Sequence, residues 1–387
     1  MLEFMDKAMY NYLYKIIEQG VGRMFEDAVR FSLDKIRKNA DDFSDAFLSD
    51  ESHGYVYSRN TECVGWTEGF WTGMLWLAYE FTGDEKFKLT AHELDKLLCR
   101  RIYEKRGTDT HDLGFLYTLS CVAEYKITGN EHAKNAALEA AELLIGRFHE
   151  KGQFIQAWGS LEDKDNYRLI IDCFMNLPLL FWASEETGDI KYADIAKKHF
   201  YTAAGCVIRE DFTTYHTYYF DPDTGEKLKG VTKQGYSNDS CWARGQAWGI
   251  YGTALAYKYI GDENIEELFN GITECFFGHL PEDGIPYWDM IFIEGNEPRD
   301  TSAAAIAVCG MLEMNRYIKS QKNMDRCIKI MQALEDRYLT DNKSNGILKE
   351  GMYSKPDGSK SECNVWGDYF YLEALMRFND PDWKMYW

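Results

Sequence analysis

The chain has 387 residues, 45% of them apolar and 27% charged, enough for a large buried core and too apolar for a disordered chain. Acidic residues number 63 against 43 basic, and the net charge of −20 repels nucleic-acid backbones and anionic membrane surfaces. No uninterrupted apolar run reaches the roughly 18 residues of a membrane span, and the first twenty residues lack the parts of a signal peptide, so a cytoplasmic protein is expected.

Apolar residues recur at three- and four-residue spacing over 22–39, 66–82, 85–102, 112–127, 131–148, 168–187, 190–207, 241–260, 263–278, 301–318, 323–338 and 366–377, predicting about twelve helices. Residues 1–21 read as an extension packed on one domain formed by 1–387. A junction recurs along the chain: Thr82-Gly83-Asp84, Thr128-Gly129-Asn130, Thr187-Gly188-Asp189 and Ile260-Gly261-Asp262. Glycine ends one helix in the left-handed conformation and Asp or Asn caps the next, so each junction is a tight helical hairpin. The first helix of a pair, as at 66–82 and 241–260, is rich in Trp, Gly and Ala and poor in charge, whereas the second is amphipathic. Buried first helices inside amphipathic second helices predict an all-α fold, an (α/α)6 barrel, with an open solenoid as its rival.

Long connections at 103–111, 149–167, 208–240 and 279–300 precede inner helices and are rich in Trp, Tyr, His, Gly and Asp. They are expected to meet at one mouth of the ring. Within 208–240, Thr213–Asp221 followed by Pro222-Asp223-Thr224-Gly225 reads as a short β-hairpin. Ten cysteines form no CxxC pair and are expected as buried free thiols in a reducing compartment. Eight scattered histidines carry no HExxH motif, so neither a metal nor any other cofactor is expected.

Two carboxylates stand where inner helices begin. Asp112 follows Thr110-His111, and Asp172 lies in the apolar run Leu169-Ile170-Ile171-Asp172-Cys173-Phe174. Each fits a first-turn acid favoured by the helix dipole. Burial of Asp172 among apolar neighbours would instead raise its pKa and suit a general acid. Arg244, near the start of 241–260, fits a bidentate clamp for a carboxylate or a salt bridge to a neighbouring acid. Trp66, Trp158, Trp242 and Trp248 stand near helix starts as core residues or sugar platforms.

The motifs Trp66-Thr67-Glu68-Gly69-Phe70-Trp71, His111-Asp112-Leu113-Gly114-Phe115, Ile171-Asp172-Cys173-Phe174-Met175-Asn176, Ser240-Cys241-Trp242-Ala243-Arg244-Gly245-Gln246 and Trp366-Gly367-Asp368-Tyr369-Phe370 resemble, in this order, the unsaturated glucuronyl hydrolases of glycoside hydrolase family 88. The resemblance implies an (α/α)6 barrel that releases the 4,5-unsaturated uronic acid left by polysaccharide lyases on glycosaminoglycan fragments of chondroitin, hyaluronan or heparin type. It implies Asp172 as general acid and base and Asp112 as the second essential carboxylate. Trp66, His111, Trp158, His216, Gly230, Thr232, Gln234, Trp242, Arg244 and Trp248 match the family's substrate-contacting positions. It also implies that residues before the Trp366 motif, here Ser359, Lys360 and Ser361, bear on sulfated substrates; the negative charge of Glu362 would oppose a sulfate there, and the segment reads first as a solvated loop. The rival readings are an unsaturated rhamnogalacturonyl hydrolase acting on pectin fragments, a sugar 2-epimerase with paired His bases, and a non-catalytic carbohydrate-binding toroid.

Overall fold

The computed structural model describes residues 24–387, so the expected extension over 1–21 lies outside the described residues. Six inner helical segments form a closed ring: Glu68–Thr82; Leu113–Tyr117 running through Thr118–Val122 into Ala123–Thr128; Leu177–Thr187; Ala243–Ile260; Thr301–Tyr317; and Val365–Asn379. Outside them lie Glu85–Tyr103, Glu131–Ile145, Ile190–Val207, Glu263–Gly278, Gln321–Arg337 and Glu26–Asp42. The last inner helix closes the ring against the first, with Phe70 set 5.6 Å from Tyr369 and 5.7 Å from Phe370 between ring centroids. That contact excludes the open solenoid.

The hairpin chemistry is as the residues dictate. Gly83, Gly129, Gly188 and Gly261 all have φ near +70°. The Asp84, Asn130, Asp189 and Asp262 side chains each accept a hydrogen bond from the backbone N–H two residues on. Such a cap is worth about 1 kcal/mol. The fifth junction has no glycine, and Ser320 caps Gln321–Arg337 by accepting from Asn323 N. Inner helices are buried almost throughout, as from Thr301 to Met314. Outer helices bury one stripe; Ala133, Ala136, Ala137, Ala140, Ala141 and Leu144 are that stripe in Glu131–Ile145.

Three differences from the periodicity matter for the site. Residues 168–187 are not one helix: Arg168–Ile170 is a strand, Ile171–Asn176 a 3₁₀ turn, and the α-helix starts at Leu177, with Pro178 in its first turn. The hairpin Thr217–Phe220 with Lys227–Val231 exists, and it recruits Arg168–Ile170 as a third antiparallel strand. The inner helix after Asp112 widens into a π-turn over Thr118–Val122. Residues 380–387 fold under the ring, where Trp387 is buried and its ring stacks on Phe370 at 6.1 Å. Among the described residues no helix is long and apolar enough to cross a membrane.

Candidate active site

All inner helices begin at one end of the ring, and the connections before five of them line a cavity of about 520 Å³ to which the expected 279–300 connection contributes no residue. Its floor is built from three connections stitched together. His111 N donates to Ala157 O, Ala157 N to Arg168 O, and Ile171 N to His216 O. Asp112 therefore arrives beside the strand that leads into Asp172. Gly114 permits the last approach: a Cβ there would lie 2.2 Å from Asn176 Cα, so only glycine lets the two chain segments touch. Phe115 N donates to Asn176 Oδ1 at 2.8 Å across the same contact.

Neither aspartate acts as a helix cap. Asp112 occupies the cap position of Leu113–Tyr117 without a capping hydrogen bond. Its Oδ2 instead accepts from Thr110 Oγ1 at 2.6 Å. Asp172 sits in the first turn of Ile171–Asn176, and its Oδ1 is buried with no well-aligned donor. The Nε2 of His111 stands between the two carboxyls, 3.4 Å from Asp112 Oδ1 and 3.3 Å from Asp172 Oδ1.

The electrostatics separate these groups. Burial, reinforced by the Asp112 charge and opposed by Arg244, pushes Asp172 well above the usual carboxyl range. Burial also raises Asp112, to about 6, against the Thr110 hydrogen bond and the fields of Arg101 and Arg147. His111 is pushed down to about 3 by burial and then by Arg147 and Arg168, so its ring is neutral. Both carboxyls are raised, Asp172 with the Asp112 charge beside it, so of the two Asp172 is the one favoured to hold a proton while Asp112 is ionised. His111, Asp112 and Asp172 are also the one group among the described residues whose donor atoms, all within 4.8 Å, would converge on a metal ion. No metal is assigned to them here.

Of the other expected residues, Trp66, His216, Gln234, Trp242, Arg244, Trp248 and Trp158 line the same cavity. Arg244 is a structural cation: Nη1 donates to Asp300 Oδ2 and Met352 O, and Nη2 to Gln234 Oε1 and Tyr353 O, at 2.6 to 3.0 Å. The salt-bridge reading of Arg244 therefore holds, and its charge reaches the cavity with its terminal N–H groups already engaged. The His216 ring packs 4.9 Å from Trp242, and burial pushes it down to about 3. Trp158 is 36% exposed at the mouth, with the Arg168 guanidinium 3.9 Å from its ring centroid. Glu68 is a buried structural acid, accepting from Gly65 N and pairing with Arg101.

Gly230 and Thr232 are not among the lining residues. Gly230 lies against the Tyr215 ring, which a Cβ would meet at 2.4 Å. The Thr232 Oγ1 accepts from Gly235 N and holds a turn. Glu362 does not face a ligand: it is buried and accepts from Ser52 Oγ, Gly54 N and Tyr55 N. Lys360 is exposed, and Asp357 and Tyr353 line the cavity on that side instead. Tyr353, Asp357, Lys233 and Thr110 also line the cavity and are not candidates in the sequence reading, although Thr110 adjoins His111 and Lys233 lies in the run from Gly230 to Trp248.

The model of Glycosyl Hydrolase Family 88 matches residues 39–380. An unsaturated chondroitin disaccharide hydrolase of Streptococcus pneumoniae (strain ATCC BAA-255 / R6) is 47% identical over 384 residues, which cover 96% of this chain and 95% of that protein. The crystal structure of an unsaturated glucuronyl hydrolase from Streptococcus agalactiae superposes with a TM-score of 0.90 at 43% identity, covering 100% of this chain and 98% of that one. An Asp-to-Asn mutant of the Streptococcus agalactiae enzyme, complexed with dGlcA-GalNAc6S, has a TM-score of 0.84 at 40% identity over 100% of this chain and 98% of that one.

Proposed function

The chain belongs to glycosyl hydrolase family 88 and is a glycoside hydrolase, and we propose that Asp172 and Asp112 carry its reaction, release of the 4,5-unsaturated uronic acid from glycosaminoglycan disaccharides. The observation that supports the assignment is the meeting of buried Asp112 and half-buried Asp172 on one neutral histidine at the cavity floor. The relatives are hydrolases of unsaturated chondroitin and glucuronyl substrates, which favours this reading over the pectin-directed one.

The C4=C5 bond of the substrate is an enol ether. Protonated Asp172 delivers its proton to C4, and the positive charge that develops at C5 is shared with the ring oxygen. Ionised Asp112 stabilises that charge and hydrogen-bonds the sugar. Water adds to C5 and gives a proton to the Asp172 carboxylate, which restores the acid. The C5 hemiketal then opens to a ketone, the ring oxygen returns to C1 as a hydroxyl, and the C1 hemiacetal expels the second sugar. Bond making occurs at C4 and C5, so the two-carboxylate geometry of ordinary glycosidases does not apply. Trp66, Trp242 and Trp248 supply faces for the sugar rings, and the fields of Arg244 and Lys233 offset the protein's negative charge for an anionic ligand.

Chondroitin-type disaccharides are the first substrates to test, followed by hyaluronan and heparin types. The ten free thiols support a reducing, cytoplasmic location. The test is the loss of ultraviolet absorbance of the unsaturated uronate on addition of enzyme to lyase-generated disaccharides. Turnover of pectin-lyase products with none of glycosaminoglycan products would overturn the reading.

A further inference from the structure

The two aspartates at the cavity floor are not held alike. Asp172 Oδ1 has no aligned donor, whereas Asp112 Oδ2 receives the hydroxyl of Thr110 at 2.6 Å. Thr110 is itself fixed three ways. Its Oγ1 accepts from Asp112 N at 3.1 Å, which closes the two-residue turn. Its backbone forms a bridge to Trp158. The neighbouring His111 N is tied to Ala157 O. The hydroxyl therefore cannot swing away from the carboxylate without breaking the turn. With Oδ2 held, Oδ1 is left on His111 Nε2.

We infer that Thr110 is a positioning residue that clamps Asp112, turning Oδ1 toward His111 and Asp172 and fixing which of the two aspartates stays ionised while the other holds the proton. The inference rests on the assignment of Asp112 and Asp172 made above. A hydroxyl donates best to an ionised carboxylate, so the clamp favours charge on Asp112. That charge favours the proton on Asp172, where the reaction needs it. The other groups facing Asp112 are neutral His111, Asp172 itself, the Tyr353 phenol, and the more distant Arg101 and Arg147; none of them donates to Oδ2. Asp172 faces Asp112, His111 and the field of Arg244. The Thr110 contact is thus the side-chain hydrogen bond that sets Asp112 apart from Asp172.

The test compares Thr110→Val, which keeps shape and removes the hydroxyl, with Thr110→Ser, which keeps the hydroxyl. On an unsaturated chondroitin disaccharide, Thr110→Val should lower kcat by about 10-fold or more, the weight of a hydrogen bond to a charged group, and change KM little. The acid limb of its kcat–pH profile should move to higher pH, because Asp112 deprived of its donor keeps its proton longer. Thr110→Ser should keep both kcat and profile near the wild type. In parallel, ¹³C-labelled aspartate is titrated by NMR in the wild type and in each folded variant, Thr110→Ala standing in if Thr110→Val does not fold. The Asp112 midpoint should rise in the variant without the hydroxyl. This readout needs no turnover, so an inactive wild type would refute the functional assignment and leave the clamp still tested. An unmoved Asp112 midpoint, or a Thr110→Ser variant as impaired as Thr110→Val, overturns the inference.

Discussion

Replacing Gly114 by alanine tests whether the close approach of two chain segments makes the catalytic pair. The position has ordinary helical backbone, so helix propensity alone favours alanine by about 1 kcal/mol. Space decides otherwise. The new Cβ would lie 2.2 Å from Asn176 Cα and 2.6 Å from both its Cβ and its carbonyl oxygen. These atoms belong to backbone or to its first side-chain carbon, so no flexible side-chain end can move aside. To restore van der Waals contact the segments must part by about 1 Å. Overpacking of this kind costs about 1–3 kcal/mol, and loss of the buried Phe115 N–H bond to Asn176 adds about 1–3 kcal/mol. The net loss of stability is about 1–5 kcal/mol after the propensity gain. The same displacement separates Asp112 from Asp172, and a 1 Å misplacement costs about 100-fold in rate. Thermal unfolding and the decay of unsaturated-uronate absorbance measure the two effects. Gly278→Ala is the control, since its Cβ would meet nothing within 4 Å. A Gly114→Ala enzyme with wild-type Tm and kcat would refute the claim that this contact builds the site.

Asp172→Asn cannot cycle a proton and should lose about 10²–10⁴-fold in kcat with an unchanged Tm, as read by the same absorbance assay and by circular dichroism. Asp112→Asn should turn over poorly yet bind, and a crystal soaked with unsaturated disaccharide should show the ring between positions 112 and 172. The kcat–pH profile should fall below about pH 6 as Asp112, raised to about 6 by burial, takes a proton, and fall again as pH rises through the raised midpoint of Asp172 and it loses its own. Lys360→Ala should leave KM unchanged for sulfated and unsulfated chondroitin disaccharides alike, because the side chain is exposed and does not line the cavity.

Much of the ring was legible because it repeats simple local rules. A glycine with positive φ followed by a capping Asp or Asn marks four of the hairpins, and a charge-poor helix beside an amphipathic one tells inside from outside. The pairing of Val365–Asn379 with Glu26–Asp42 was not legible, because it joins segments from opposite ends of the chain with no junction between them. The strand at Arg168–Ile170 was misread as helix for a related reason: its partner, Thr217–Phe220, lies about fifty residues on, and apolar Leu169-Ile170-Ile171 suits either structure. The carboxylates were found through their place at helix starts and through the family motifs. The meeting of both on His111 was not, since it depends on which loop is stitched to which. Tyr353 had no signal at all; it matters because its hydroxyl accepts from Trp66 Nε1 and its carbonyl from Arg244.

The mouth must also admit an anion to a protein of net charge −20. Two cations line the cavity, Lys233 and Arg244. Arg244 has committed its terminal N–H groups to Asp300, Gln234 and two carbonyls, so it contributes field and not new hydrogen bonds. Lys233 is different: it is exposed, and its ammonium stands 5.0 Å from the centroid of the Trp158 ring. Lysine at such a rim is suited to meeting the incoming carboxylate, whereas arginine in the wall shapes the field behind it. An exposed pair of this kind is worth about 0.2–1 kcal/mol and fades with salt. Lys233→Met keeps the apolar stem over Trp158 and removes only the charge. It should raise KM about 2- to 5-fold at low ionic strength, leave kcat unchanged, and lose most of its effect near 0.5 M salt. A KM defect that persists at high salt would mean that Lys233 makes a desolvated contact deeper in the site; a fall in kcat would place it among the groups that position the reacting ring.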